Sequence, residues 1–326
     1  MKLNPRVIAG GAVIYVGMTT ATYLYMRSSK PQSCSCSPHT PNHDQNGDAD
    51  IDGNNNSNGI DTFNRIAASY DKTIDLDETL MGVRLLRRLL LRQAQGDVLE
   101  VSAGTGRNVP YYRAPQVASV LMTDASRPML LQAAEKAASL SPAKERTTTT
   151  PHMTFCLADV QHLCADDTSG DGNSININNK SSNPDSVGDV VATQPSIPGV
   201  EAETTKYGPA LRRLHTLPPE SYDTVVDTFG LCSCEDPVQA LKEMGSVVKA
   251  GGKILLLEHG RGTWQFINKI LDSSALEHRK KWGCAWNRDI EALVKEAQLE
   301  VESISRWHFG TTYVIVAKKK RQKDCR

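Results

Sequence analysis

Asp97-Val-Leu-Glu-Val-Ser-Ala-Gly-Thr-Gly106 decides the fold. Its first half is an apolar run of strand type, and its second half is a chain of small residues followed by Arg107 and Asn108. A strand that ends in such a turn lets backbone amides approach a ligand closely, because Gly104 and Gly106 carry no side chain to block contact and tolerate unusual backbone angles. Glu100 stands at the strand end, where its carboxylate can accept a hydrogen bond from a cationic amino group. The spacing is SxGxG. A nicotinamide-binding turn requires GxGxxG, and the residue three after Gly106 is Val109.

Working outward, apolar runs alternate with amphipathic helical stretches, the pattern of a parallel sheet wrapped by helices. The runs Asp97–Val101, Ser119–Thr123, Met153–Ala158, Thr224–Thr228, Lys253–Leu257, Val301–Ser305 and Thr312–Ala317 make seven expected strands. The last two are joined by Arg306-Trp-His-Phe-Gly-Thr311, too short for a crossover helix, so they are expected to form an antiparallel hairpin at the sheet end. Helices are expected over Phe63–Ser69 and over Glu78–Arg92. The second has an apolar face of Leu80, Val83, Leu86, Leu89 and Leu90, and a row of Arg84, Arg88 and Arg92 opposite it. That row is read as a solvated face, with a lipid-headgroup or acidic-partner site as the alternative.

The strand ends carry acids. Asp124 follows Gly104 by about 20 residues, the place where a carboxylate accepts both hydroxyls of a ribose. Asp159, after the third run, is placed to take the exocyclic amine of an adenine. Each acid alone could instead cap a helix; three together around a glycine turn favour a nucleoside-bearing cofactor.

The 326 residues suit one catalytic domain with tails and loops, and Lys+Arg 37 against Asp+Glu 37 gives a formal charge of zero. No overall pull toward nucleic acid follows from that balance. The 8 cysteines make no CxxC framework and are read mostly as free thiols, so no metal is assigned. Cys34-Ser-Cys36 and Cys232-Ser-Cys234 are weak redox or metal alternatives.

Val7–Met26 is uncharged over about the 20 residues that a membrane-spanning helix needs. It is expected to be a single anchor, with a cleaved signal as the competing reading. Basic residues on both flanks leave its orientation open. Residues 33–59 are rich in Ser, Pro, Asn, Asp and Gly and are expected to form a disordered stalk. A like stretch, 166–205, is expected to be a disordered insertion in the domain 60–319, which a basic tail, 320–326, follows.

Leu99-Glu-Val-Ser-Ala-Gly-Thr-Gly106, Thr123-Asp-Ala-Ser-Arg-Pro-Met129 and Leu217-Pro-Pro-Glu-Ser-Tyr-Asp-Thr-Val225 resemble successive blocks of the ubiquinone/menaquinone-type, "type 11", methyltransferases. Asp227-Thr-Phe-Gly-Leu-Cys-Ser233, Leu257-Glu-His-Gly-Arg261 and Trp282-Gly-Cys-Ala-Trp-Asn-Arg-Asp289 resemble more narrowly the fungal mitochondrial inner-membrane methyltransferase-like family that suppresses oxidase-assembly defects. Membrane-bound thiol methyltransferases of animals are a more distant likeness. The resemblance implies an α/β, Rossmann-like class I methyltransferase sheet of seven strands, preceded by one transmembrane helix, with S-adenosyl-L-methionine as cofactor. It implies a cofactor site of Tyr70, Glu100, Ser102, Gly104, Gly106, Asn108, Asp124, Met129, Asp159, Val160, Phe229 and Leu231. Ser102 stands where the family most often has its first glycine, and Tyr70-Asp71 resembles its lid over the methionine end, with simple helix termination as the alternative.

Methyl transfer from a sulfonium is an in-line displacement, so a protein mainly orients the acceptor and excludes water. His259 is the candidate base; a hydrogen-bonded structural histidine is the alternative. His278, Trp282, Cys284, Trp286, Asn287 and Arg288 occupy the region that usually forms the acceptor pocket. No Asn-Pro-Pro-Tyr block follows the fourth run, which disfavours amide nitrogen acceptors. The anchor points to a lipophilic acceptor such as a quinone precursor, lipid or alkyl thiol, and would equally place the chain beside a membrane protein; the resemblance implies the mitochondrial inner membrane, with the endoplasmic reticulum as the alternative location. A catalytically silent scaffold is the alternative function. The acceptor and the oligomeric state stay open.

Overall fold

The computed structural model describes residues 59–140, 151–164, 200–202, 211–214 and 216–320. The expected anchor, most of the stalk, most of the insertion and nearly all of the basic tail lie outside these residues. Among the described residues, no helix is long and apolar enough to cross a membrane.

The chain enters through α1 (Gly59–Leu80) and α2 (Val83–Leu91), then β1 (Gly96–Val101), β2 (Val117–Asp124), α3 (Arg127–Leu140) and β3 (His152–Leu157). Two short strands follow, β4 (Val200–Ala202) and β5 (Arg212–Leu214). The second half runs β6 (Tyr222–Thr228), α4 (Pro237–Val247), β7 (Val248–His259), α5 (Gln265–Trp282), α6 (Ile290–Glu296), β8 (Leu299–Trp307) and β9 (Thr312–Lys319). All strands join one sheet in the order β4-β5-β3-β2-β1-β6-β7-β9-β8.

The seven strands read from sequence are β1, β2, β3, β6, β7, β8 and β9, and they fit the class I methyltransferase fold. β9 pairs antiparallel with both β7 and β8, which realises the expected hairpin at the sheet end. The sheet corrects the reading in one place. Val200–Ala202 falls inside the stretch expected to be disordered, yet it pairs antiparallel with β5, and β5 pairs parallel with β3. Backbone hydrogen bonds to an open sheet edge need no apolar signal, which is why composition missed them.

The expected helix Glu78–Arg92 is also corrected. α1 runs on to Leu80, and Gly82, at φ 70°, turns the chain before α2 begins. Glycine takes that left-handed angle without the Cβ clash of other residues. On α2 the buried stripe is Val83, Leu86, Leu90 and Leu91, while Leu80 and Leu89 are exposed. α1 starts at Gly59, the last residue expected for the stalk.

Side chains of the central strands alternate between two cores, as a pleated sheet requires. Leu99, Leu121, Val225 and Leu256 pack under α4 and α6, with Leu241, Met244, Ile290 and Val294. Val98, Val120, Val226 and Leu255 pack on the opposite face, under Leu86 and Leu90 of α2. From β1 the chain steps outward through β2 and β3, then returns to place β6 on the other flank of β1. That reversal opens a crevice beyond the C-terminal ends of β1 and β6.

One buried cation fastens the crevice. Arg87, 4% exposed, points inward from α2. It donates to Glu78 Oε1 of α1 at 2.8 Å, to Asn108 Oδ1 at 3.0 Å and to Thr228 Oγ1 at 2.7 Å. Its guanidinium carbon also lies 5.1 Å from the centre of the Phe229 ring, a cation–π distance. Arg87→Leu removes one member of a buried ion pair and leaves Glu78 facing a nonpolar side chain. Denaturant unfolding is expected to show a loss of about 3–5 kcal/mol; a loss under about 1 kcal/mol would mean that Arg107 alone satisfies Glu78.

Candidate functional site

The crevice holds a cavity of about 540 Å³, large enough for a nucleoside-sized ligand. Its floor is the turn after β1. Gly104 lies at φ 56°, and a Cβ built there would meet no atom within 4 Å, so a side chain would project into open space. Gly106 also has a positive φ but serves another purpose: its Cβ would stand 2.8 Å from Ala133 Cβ of α3. Gly104 keeps the cavity open, and Gly106 lets α3 pack against the turn.

Asp124 closes one side. Its Oδ2 accepts the Gly104 amide at 2.7 Å and its Oδ1 accepts the Ser126 amide at 2.7 Å. Each carboxylate oxygen has a second lone pair, so both can still accept from ligand hydroxyls. Burial pushes the Asp124 carboxyl up to about 6, against the pull of those two amides. Asp159 lines the cavity from the end of β3 and also caps the short helix Val160–His162 through the Gln161 amide at 2.9 Å. The capping and ligand-binding readings of Asp159 are therefore compatible.

Tyr70, Ser102, Met129, Val160 and Phe229 line the cavity together with Gly104, Asp124 and Asp159. Ser102 (φ 49°) and Phe229 (φ 61°) take left-handed angles, which are strained for residues with a Cβ and recur at functional sites. Glu100, Gly106, Asn108 and Leu231 are not brought to the cavity wall. Glu100 lies beneath the floor, accepting from Tyr112 Oη at 2.6 Å and Asn108 Nδ2 at 3.0 Å, and burial raises it to about 7. Leu231 is core.

α1 forms the roof. Asp71 accepts from Thr105 Oγ1 at 2.5 Å and from Lys136 Nζ at 2.5 Å, and Arg107 donates to Asp75 at 3.1 Å and to Glu78 at 2.8 Å. These acids recur at three- or four-residue spacing along one face of α1, so the helix is laced to the glycine turn. Tyr70 is thus part of a continuous helix, not its end. Sequence reading missed Arg87 and the start of α1, where Gly59, Ile60 and Phe63 line the cavity. A signal for Arg87 existed: it follows Leu86 on the stripe that α2 buries.

The side expected to meet the acceptor lies around the ends of β6 and β7. The Phe229 and His259 rings meet edge to face at 5.5 Å between centres, and Phe229, not His259, lines the cavity. A direct base role for His259 would require the Phe229 ring to move aside. Burial lowers the His259 pKa, and the neighbouring Cys232 sulfur more than reverses that, leaving it raised. His278 stacks on Trp286 at 3.8 Å, and burial, with the charges of His259 and Lys281, brings it down to about 3. Behind this wall Asp227 and Glu258, both fully buried, bring their carboxyls together. Burial raises both; the Glu100 charge pushes Asp227 further up against a hydrogen bond with Glu258 that pulls it down, and the Asp227 charge pushes Glu258 further up.

A methyltransferase-domain family model matches residues 75–304. The chain belongs to that family. It is 34% identical over 254 residues to the mitochondrial methyltransferase OMS1 of Saccharomyces cerevisiae, a match covering 78% of this chain and 45% of that protein. The chain thus spans about half the length of that curated relative. It is also 40% identical over 55 residues to the ubiquinone/menaquinone biosynthesis C-methyltransferase UbiE of Hahella chejuensis, covering 17% of this chain and 22% of the relative. Among solved structures, the DhpI complex with SAH is similar at a TM-score of 0.47 and 15% identity, covering 81% of this chain and 96% of that one.

The methyltransferase domain uses S-adenosylmethionine, which when bound supplies an activated methyl group. The residues fit it: Gly104 leaves room at the floor, Asp124 offers free lone pairs for ribose hydroxyls, and Asp159 reaches the far end from β3.

An ionised Asp124 is the better acceptor, so affinity for S-adenosylhomocysteine should be full above about pH 6 and weaken as pH falls through it. Calorimetry should also show Asp124→Ala binding weaker by about 1–3 kcal/mol, and equal affinity in the variant would remove Asp124 from the site. The Asp227–Glu258 pair is raised in the folded state, so its stability contribution is full below the ordinary carboxylate range and is lost as pH rises. Asp227→Asn should flatten that loss in melting curves taken across the neutral range, and an unchanged slope would contradict the pairing.

Proposed function

We propose that this chain is a membrane-tethered S-adenosylmethionine-dependent methyltransferase acting on a small lipophilic acceptor in the mitochondrial inner membrane. The observation that carries the catalytic part is the cavity itself, with Gly104, Asp124 and Asp159 converging at the C-terminal ends of three neighbouring strands. The membrane tether rests on the uncharged run Val7–Met26, and the location rests on the relative whose name places it in mitochondria. An anchored enzyme meets acceptors held in the bilayer at high local concentration.

The chain's own part in the reaction is positioning. The roof helix α1 and the Phe229 side wall exclude water, and the strained backbone at Ser102 and Phe229 holds the groups around the methyl donor in place. A thiol acceptor needs only its anion, so no protein base is required for that class.

Membrane extracts incubated with methyl-labelled S-adenosylmethionine and the purified full chain should gain label in the organic phase. Label found only in protein or in water-soluble compounds would overturn the lipophilic acceptor. Gly104→Trp, which fills the cofactor cavity and costs about 1–2 kcal/mol for a side chain at a left-handed angle, should abolish that labelling and fail to rescue a deletion strain while remaining folded; full rescue would mean that the domain acts as a silent scaffold.

A further inference from the structure

Cys232, on the loop after β6, His259, at the end of β7, and Cys284, on the loop after α5, bring their ligand atoms within 4.8 Å of one another. His278 of α5 adjoins this trio through Cys284, with Nε2 3.1 Å from its Sγ, while His259 Nε2 lies 3.8 Å from the same sulfur. We propose that these four side chains form a binding site for a thiophilic divalent cation of the zinc class. The ion would pin the acceptor-side loop to the sheet.

The chemistry of the set favours such an ion. Two cysteines and two histidines are a standard tetrahedral zinc complement, with bonds of about 2.3 Å to sulfur and about 2.0–2.1 Å to nitrogen. A tetrahedron with those bonds separates sulfur and nitrogen by about 3.6 Å, between the 3.1 and 3.8 Å found here. Within Cys232, His259 and Cys284 the separations stay within 4.8 Å and ask for only a small contraction, while His278, in contact with Cys284, must swing toward the other two to join them. Charge agrees as well: a divalent ion displaces one proton from each thiol, both protons leave to solvent, and the two thiolates neutralise the ion. Cys232 and Cys284 are both buried, and such a neutral assembly is tolerated there, as isolated thiolates are not.

The surroundings are already arranged. The Ala285 amide donates to the Cys232 carbonyl at 2.8 Å, so the two sulfur-bearing loops are clasped by backbone before any ion binds. His278 is held flat by stacking on Trp286, whose Nε1 donates to the Leu271 carbonyl at 3.1 Å. Such outer supports fix the direction in which a ligating ring points. The group lies behind Phe229, so the ion would shape the acceptor wall without entering the cavity.

The test uses the purified full chain, reduced and stripped of metal, and does not depend on methyl transfer. Added Zn²⁺ should bind at about one equivalent by elemental analysis, and Co²⁺ should give the intense visible bands and the thiolate charge-transfer band of a tetrahedral sulfur site. Cys232→Ser and Cys284→Ser should each lose at least tenfold in affinity, and Cys234→Ser should bind as the wild type does. Alkylation mapped by mass spectrometry keeps the test independent of whether variants fold: Zn²⁺ should protect Cys232 and Cys284 in the wild-type chain, and a chelator should expose them. Failure to bind Zn²⁺ or Co²⁺, equal loss in Cys234→Ser, or an intact mass lower by two hydrogens with Cys232 joined to Cys284 would each overturn the proposal. Retained S-adenosylhomocysteine binding in those cases would leave the methyltransferase reading standing.

Discussion

The buried guanidinium of Arg87 is the constraint on which the site depends. It reaches Glu78 of α1, Asn108 beyond the glycine turn and Thr228 at the end of β6, three segments far apart in the chain. A charge in that position must be met by partners in fixed places, or the desolvation penalty remains uncompensated. Despite burial, which alone would raise it, Arg87 and Arg107 hold the Glu78 carboxyl below its ordinary range. The roof of the cavity is therefore fastened to its floor by electrostatics in a dry setting, where each contact is stronger than it would be in water.

The site divides into a half built from backbone and a half built from side chains. On the cofactor side, Gly104, Ser126 and Asp124 interlock through amide-to-carboxylate hydrogen bonds, which few substitutions outside these positions would disturb. On the acceptor side, aromatic and sulfur-bearing side chains from β6, β7 and the α5–α6 connection make the wall, and α5 buries none of its residues fully. The region expected to meet the acceptor is thus the less deeply packed part of the domain, whereas the cavity rests on the sheet.

How much was legible depended on whether a feature is written in neighbouring residues. The seven strands and the terminal hairpin were read correctly from runs, spacings and one short turn. β4 was missed because its pairing uses backbone atoms that composition does not report. Gly106 looked like a ligand-facing glycine because the turn motif contains it, but its role is contact with Ala133. Glu100 and Asn108 sit one layer too deep, since their side chains point into the floor and satisfy each other.

The sequence by itself determined the alternation of strands and helices, the glycine turn and the placement of an acid at each strand end. Those features are local: a turn angle needs a glycine where it occurs, and a buried strand needs apolar residues in succession. The tertiary structure decided which side chains meet. The Cys232-Ser-Cys234 spacing offered a joint site for those two sulfurs only as a weak alternative to free thiols, and folding sends Cys234 to the cavity and Cys232 toward Cys284, 52 residues farther on (284 minus 232). Likewise an arginine among leucines reads as a helix face until α1 and β6 close around it. Such encounters depend on strand register and helix packing across the whole domain, and no stretch of neighbouring residues encodes them.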